Sequence, residues 1–108
     1  MNAAEDLLSV HLDELGCEYS RQYVYAHFRA LRADFAVWPT ERTGRLLVEV
    51  QGGIYGRGGK AHSSIAGILR DLDRAQQACL NEWYYMPVSV QQVESGEAKE
   101  FIRRWLEG

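Results

Sequence analysis

Three β-rich segments follow one another closely in this chain, at 19–26, 31–38 and 45–51, and the second and third each carry an acid in mid-segment. This pattern constrains the fold strongly, because a half-buried strand normally gives its inward positions to apolar residues. Asp34 lies within Leu31–Trp38 and Glu49 within Arg45–Gln51, and Pro39–Gly44 between them reads as a turn. Short links favour antiparallel neighbours, so the three segments are expected to form a meander. Strand alternation places Ala33, Phe35 and Val37 on one face, with Arg32, Asp34 and Ala36 on the other. In the third segment Leu46, Val48 and Val50 share one face, and Leu47, Glu49 and Gln51 share the other. If the apolar sets pair across the hairpin, Asp34 and Glu49 meet on one side of the sheet. Two carboxylates meeting in this way form a hard oxygen site suited to a divalent cation such as Mg²⁺.

The flanking segments alternate with helical patterns. Ala4, Leu8, His11, Leu12 and Leu15 recur at helical spacing over residues 3–15, and Gly16 supplies a stop. Five glycines within 52–59 mark a loop, and no Gly-Lys-Ser/Thr follows them to make a phosphate-cradling Walker motif. A second helix begins near Ser63 or Ser64, either of which can cap it. Its expected buried stripe is Ile65, Leu69, Leu72, Gln76 and Cys79, while Gly67, Asp71 and Arg74 share another stripe. Trp83–Met86 reads as a fourth strand ended by Pro87, and a last helix over 96–106 is expected to bury Phe101, Trp105 and Leu106. The order α-β-β-β-α-β-α predicts an α/β fold built on a central mixed sheet. At 108 residues, one domain spanning 1–108 is expected.

Composition narrows the class. With 46% hydrophobic and 25% charged residues, the chain has enough apolar surface for one compact core. No apolar run approaches the roughly 18–20 residues that a membrane-crossing helix needs. Glu5 and Asp6 stand where a secretory signal would carry basic residues, so the expected compartment is cytoplasmic. Cys17 and Cys79 have no metal-ligand spacing and read as reduced, half-buried small residues. The net charge of −3 does not advertise a nucleic-acid partner, but distribution matters more than the sum. Arg21, Arg29 and Arg32, then Arg57 and Lys60, then Arg70 and Arg74 could together line a phosphate track around the acidic pair.

Several short motifs stand in a specific order: Glu5, Arg21-Gln-Tyr23, Asp34-Phe-Ala36, Glu49-Val-Gln-Gly-Gly53, His62, Gly67, Asp71-Leu-Asp-Arg74 and Trp83. This ordered set, covering nearly the whole chain, resembles the PD-(D/E)xK nuclease superfamily, and within it the small phage- and bacteria-encoded members. The resemblance implies a restriction-endonuclease-like core with a C-terminal helix. It also implies a Mg²⁺- or Mn²⁺-dependent DNA endonuclease, with DNA as partner, no membrane association and a possible homodimer. Asp34, Glu49, the carbonyl of Val50 and Glu5 would be the metal ligands. The ion would polarise a phosphate oxygen and acidify a water, yielding hydroxide near neutral pH.

Two positions depart from the superfamily pattern. Its lysine, two residues after the glutamate, is Gln51 here, and the lysine that related proteins supply from the following helix is matched by Arg74. Glutamine can hold a water but brings no charge, and arginine keeps the charge without lysine's compact geometry. By resemblance, the catalytic group is Asp34, Glu49, Gln51 and Arg74, with Arg57, Lys60, His62 and Asp71 as substrate contacts. The competing expectation is a nuclease-like domain that binds nucleic acid or a protein without cutting.

Overall fold

The computed structural model describes residues 2–51 and 65–108. Its elements run α1 (Ala3–Leu15), β1 (Glu18–Ala26), a 3₁₀ turn (His27–Arg29), β2 (Leu31–Trp38), β3 (Leu46–Gln51), α2 (Ile65–Leu80), β4 (Tyr84–Ser89), α3 (Val90–Ser95) and α4 (Glu97–Glu107). The sheet order is β1-β2-β3-β4. The first three strands form the antiparallel meander, and β4 lies parallel to β3. A parallel pair needs a crossover connection, and α2 lies within it. The fold is thus α/β with a four-stranded mixed sheet and a C-terminal helix. Among the described residues no helix is long and apolar enough to cross a membrane.

Helices cover both faces of the sheet, with different chemistry on each. On one face α1, α3 and α4 bury Leu8, Leu12, Val93, Ala98 and Ile102 against Phe35, Val37, Leu46, Val48 and Val88. α1 starts at Asn2, whose side chain accepts the Glu5 backbone N–H at 2.8 Å, and stops at Gly16 in the left-handed region. On the other face Tyr25, Ala26, Ala33, Ala36, Leu47 and Trp83 pack with Ala78 of α2. There Trp38, Trp83 and Tyr23 form an aromatic group with centroids 5.2–5.4 Å apart, Trp38 meeting the other two edge-on.

Four sequence expectations are corrected. Ala33 does not share a face with Phe35 and Val37; it belongs to the α2 side, they to the α1 side. The cause sits opposite, in β1. Gln22 has φ +51°, and a left-handed residue breaks the pleat, so Tyr19 packs on the α1 side and Tyr23 on the α2 side. Second, the expected buried stripe of α2 faces outward: Ile65 is 77% exposed, Leu69 58% and Leu72 50%, with Gln76 and Cys79 also exposed. Gly67 and Ala78 are its buried residues, and Asp71 and Arg74 are half-buried on the same stripe. Third, Pro87 does not end β4 but pairs in register with Glu49. β4 is an edge strand, where a missing N–H is tolerated. Fourth, the expected last helix is present as α4, but Ala98 and Ile102 take the central positions expected of Phe101, with Trp105 and Leu106 packed around them, and a further short helix, α3, precedes it, ended by Gly96.

Candidate functional site

The β2–β3 ladder is in register from Val37↔Leu46 through Phe35↔Val48, and the next pair in that register is Asp34 opposite Glu49. The ladder opens there. Instead of a backbone partner, the Val50 N–H donates to Asp34 Oδ2 at 2.7 Å, so a side chain spans the fork between the strands. The two acids thus sit together at the open end of the sheet, and the helical layers on both faces reach it.

From α1 comes Glu5, 8% exposed, the only charged residue in the buried class among the described residues. Its Oε2 accepts from Asn2 Nδ2 at 2.9 Å, and its Oε1 from Gln22 Nε2 at 3.2 Å. The same Gln22 Nε2 donates to Asp34 Oδ1 at 3.3 Å, so one amide ties the two carboxylates together. Gln22 was not singled out from the sequence; its signal was an amide in mid-strand within Arg21-Gln-Tyr23.

From α2 comes Arg74. Its Nη1 donates to the Arg32 carbonyl at 3.0 Å and stands 3.6 Å from Glu49 Oε1. That spacing is an ion pair without a hydrogen bond, and Glu49 Oε1 is buried with no hydrogen-bond partner among the described residues. Burial first, and then the charge of Asp34, push the Glu49 carboxyl up to about 7, with Arg74 pulling the other way. A half-neutral, under-satisfied carboxylate beside a second one is a place that gains from a cation.

Gln51 and Asp71 lie just beyond, lining an open groove of about 470 Å³ with Ile68, Leu72, Ala75, Tyr85 and Pro87. Tyr85, expected only as part of the fourth strand, is a second site residue that was not singled out from the sequence. Its hydroxyl is buried without a partner among the described residues, and burial followed by the Glu49 charge raises its pKa. Asp71 does not pair with Arg74, which is held by Glu49 and Arg32 instead. The early arginines are also engaged: Arg21 with Asp6 at 3.2 Å and Arg29 with Asp73. Arg57, Lys60 and His62 fall outside the described residues.

As a cation site the fork offers Asp34, Glu49 and, through its Gln22 link, Glu5. Among the described residues no three or more His, Cys, Asp or Glu side chains form a ready metal-holding group. Ligation by one or two carboxylates completed by water and substrate oxygens is the mode Mg²⁺ favours, and the orphan Glu49 Oε1 fits it. At Val50 the backbone N–H engages Asp34, and the residue pairs with Val88 in the parallel β3–β4 ladder.

No family model matches the chain, and no curated protein or solved structure matches it either.

Proposed function

We propose that this protein is a divalent-metal-dependent phosphodiesterase acting on DNA, with Asp34 and Glu49 as its metal-holding pair. The observation that carries this reading is the fork itself, where two acids meet at an opened β-ladder and one of them is buried with an unpartnered oxygen. The ordered motifs from Glu5 to Trp83 support the same reading. A bound Mg²⁺ or Mn²⁺ would supply charge neutralisation on the phosphate and acidify a water. The chain's own groups have separable tasks. Asp34 and Glu49 hold the ion, and Glu5 and Gln22 fix Asp34 from the α1 side. Arg74 sets a positive charge beside the developing phosphate charge. Gln51, lining the groove next to Glu49, holds the attacking water by hydrogen bonds.

A second reading, a domain that binds without cutting, is favoured by one observation: Arg74 already stands as a counter-charge 3.6 Å from Glu49, and Gln51 adds no charge. A supercoiled-plasmid nicking assay in Mn²⁺ separates the two. The parent is expected to nick, and Asp34→Ala and Glu49→Ala each to lower the rate at least about 100-fold. DNA binding without nicking, unchanged by either substitution, would establish the second reading instead.

A further inference from the structure

Given the phosphodiesterase reading, on which this rests, we infer that the groove between α2 and β4 is a pocket for one unpaired nucleobase. The substrate is then DNA with an unpaired base beside the phosphate that is cut. Glu49 pairs with Pro87 across the β3–β4 ladder, and Pro87 and Gln51 both line the groove. Paired strands lie about 5 Å apart, so the groove begins within one nucleotide's reach of a phosphate held at the fork. On α2, Ile68, Leu72 and Ala75 fall with Asp71 inside an arc of about 100°, the flank turned to β4. On β4, alternation sets Tyr85 and Pro87 on the same side. Ile68 is 47% exposed and Leu72 50%, so apolar surface stands open to water across a cleft from a tyrosine and a proline. Apolar walls with a few convergent polar groups suit a flat ring that must be held in one orientation.

Two polar groups in the groove lack partners. The Tyr85 hydroxyl is buried with no hydrogen bond among the described residues, and half-buried Asp71 has neither a hydrogen bond nor an ion pair there. The two stand close enough for the Asp71 charge to act on the hydroxyl. Together they present an acceptor, the carboxylate, beside a donor, the phenolic O–H. Every nucleobase carries a donor next to an acceptor on its Watson–Crick edge, and that edge is free only when the base is unpaired. A base in intact duplex has its edge engaged and its faces stacked, so it cannot enter. An aromatic side chain of a peptide would match the walls but not the neighbouring phosphate site, which favours a nucleotide as the occupant.

Fluorescence anisotropy in Ca²⁺, an ion that oxygen sites accept, tests this without requiring any cutting. The probes are oligo(dT) of about 12 residues, an abasic strand of the same length and the matching duplex. The parent is expected to bind oligo(dT) about tenfold more tightly than the abasic strand, and more tightly than the duplex. Tyr85→Phe and Asp71→Ala are each expected to cut the tenfold ratio to about threefold or less. Should either variant misfold, the parent's own ratio still decides, together with Leu72→Ala at the exposed rim, expected to lower it about threefold. Equal binding of oligo(dT) and the abasic strand overturns the inference. So does duplex binding as tight as oligo(dT), or a ratio unmoved by all three substitutions. A parent that nicks plasmid but binds without regard to bases keeps the phosphodiesterase reading and loses the pocket. Base-dependent binding without nicking keeps the pocket and loses the cutting.

Discussion

The two faces of the sheet solve different problems. On the α1–α3–α4 side, Leu8, Leu12, Phe35, Val48, Val93 and Ile102 are fully buried, and the contact is apolar. On the α2 side the helix meets the sheet through Gly67 and Ala78, with Asp71 and Arg74 between them. The first side excludes water and supplies stability. The second brings α2 close to the strands, sets a guanidinium over the β2–β3 fork, and gives up apolar burial to do so. Stability and chemistry are divided between layers, with Glu5 as the one charged residue that the stable layer lends to the site.

Truncations on the two sides test that division most severely. Leu8→Ala or Ile102→Ala is expected to cost about 3–4 kcal/mol in urea unfolding, because each leaves a cavity in close-packed surroundings. Leu69→Ala is expected to cost under about 0.5 kcal/mol. Equal costs would mean that α2 is cored like the other face and that the division is false.

Glu49 gives a smaller effect of opposite sign. Its carboxyl is raised to about 7 from an ordinary 4.5, so the folded state disfavours the charged form. The penalty is absent below the unfolded value, grows between about pH 4.5 and 7, and is complete above 7. Glu49→Gln is therefore expected to stabilise the protein at pH 8, by on the order of 2–3 kcal/mol, and to be neutral at pH 4. Mn²⁺ should reverse the order at pH 8, stabilising the parent and not the variant, with the parent's affinity rising through pH 7 as Glu49 loses its proton. A stability difference that does not change with pH would show that Glu49 is not strained by its surroundings.

Much of this division was legible in the sequence, and the misses share a cause. Alternation and turn residues located all four strands, and helical periodicity located α1 to its end residues. The register that brings Asp34 opposite Glu49 follows from pairing two apolar strands. Periodicity also found both stripes of α2, but it reports only that a helix is two-sided, not which side the sheet takes. Here Arg74 on Glu49 decided that, and no apolar pattern encodes it. Pro87 misled because a proline ends a central strand but not an edge one, and edge position is a property of the whole sheet. The face switch at Asp34 was hidden because its cause is a backbone angle at Gln22, a residue type that rarely takes it.

Gln22 joins the two layers, and it yields the finest test. Its φ of +51° costs a non-glycine residue roughly 1 kcal/mol, and its amide returns that cost by bonding Glu5 and Asp34 at once. The two contributions separate by substitution. Gln22→Ala keeps the strain and loses both hydrogen bonds, and is expected to cost about 1–2 kcal/mol. Gln22→Gly loses the same bonds but relieves the strain, so it should be about 1 kcal/mol more stable than Gln22→Ala, the reverse of the usual order within a strand. Calorimetric titration adds the functional half. Both variants should weaken Mn²⁺ binding equally, since both free Asp34 from Glu5, whatever their difference in unfolding. If Gln22→Ala proves the more stable of the two, the residue is ordinary extended backbone, and the break in the pleat that parts Ala33 from Phe35 must have another origin.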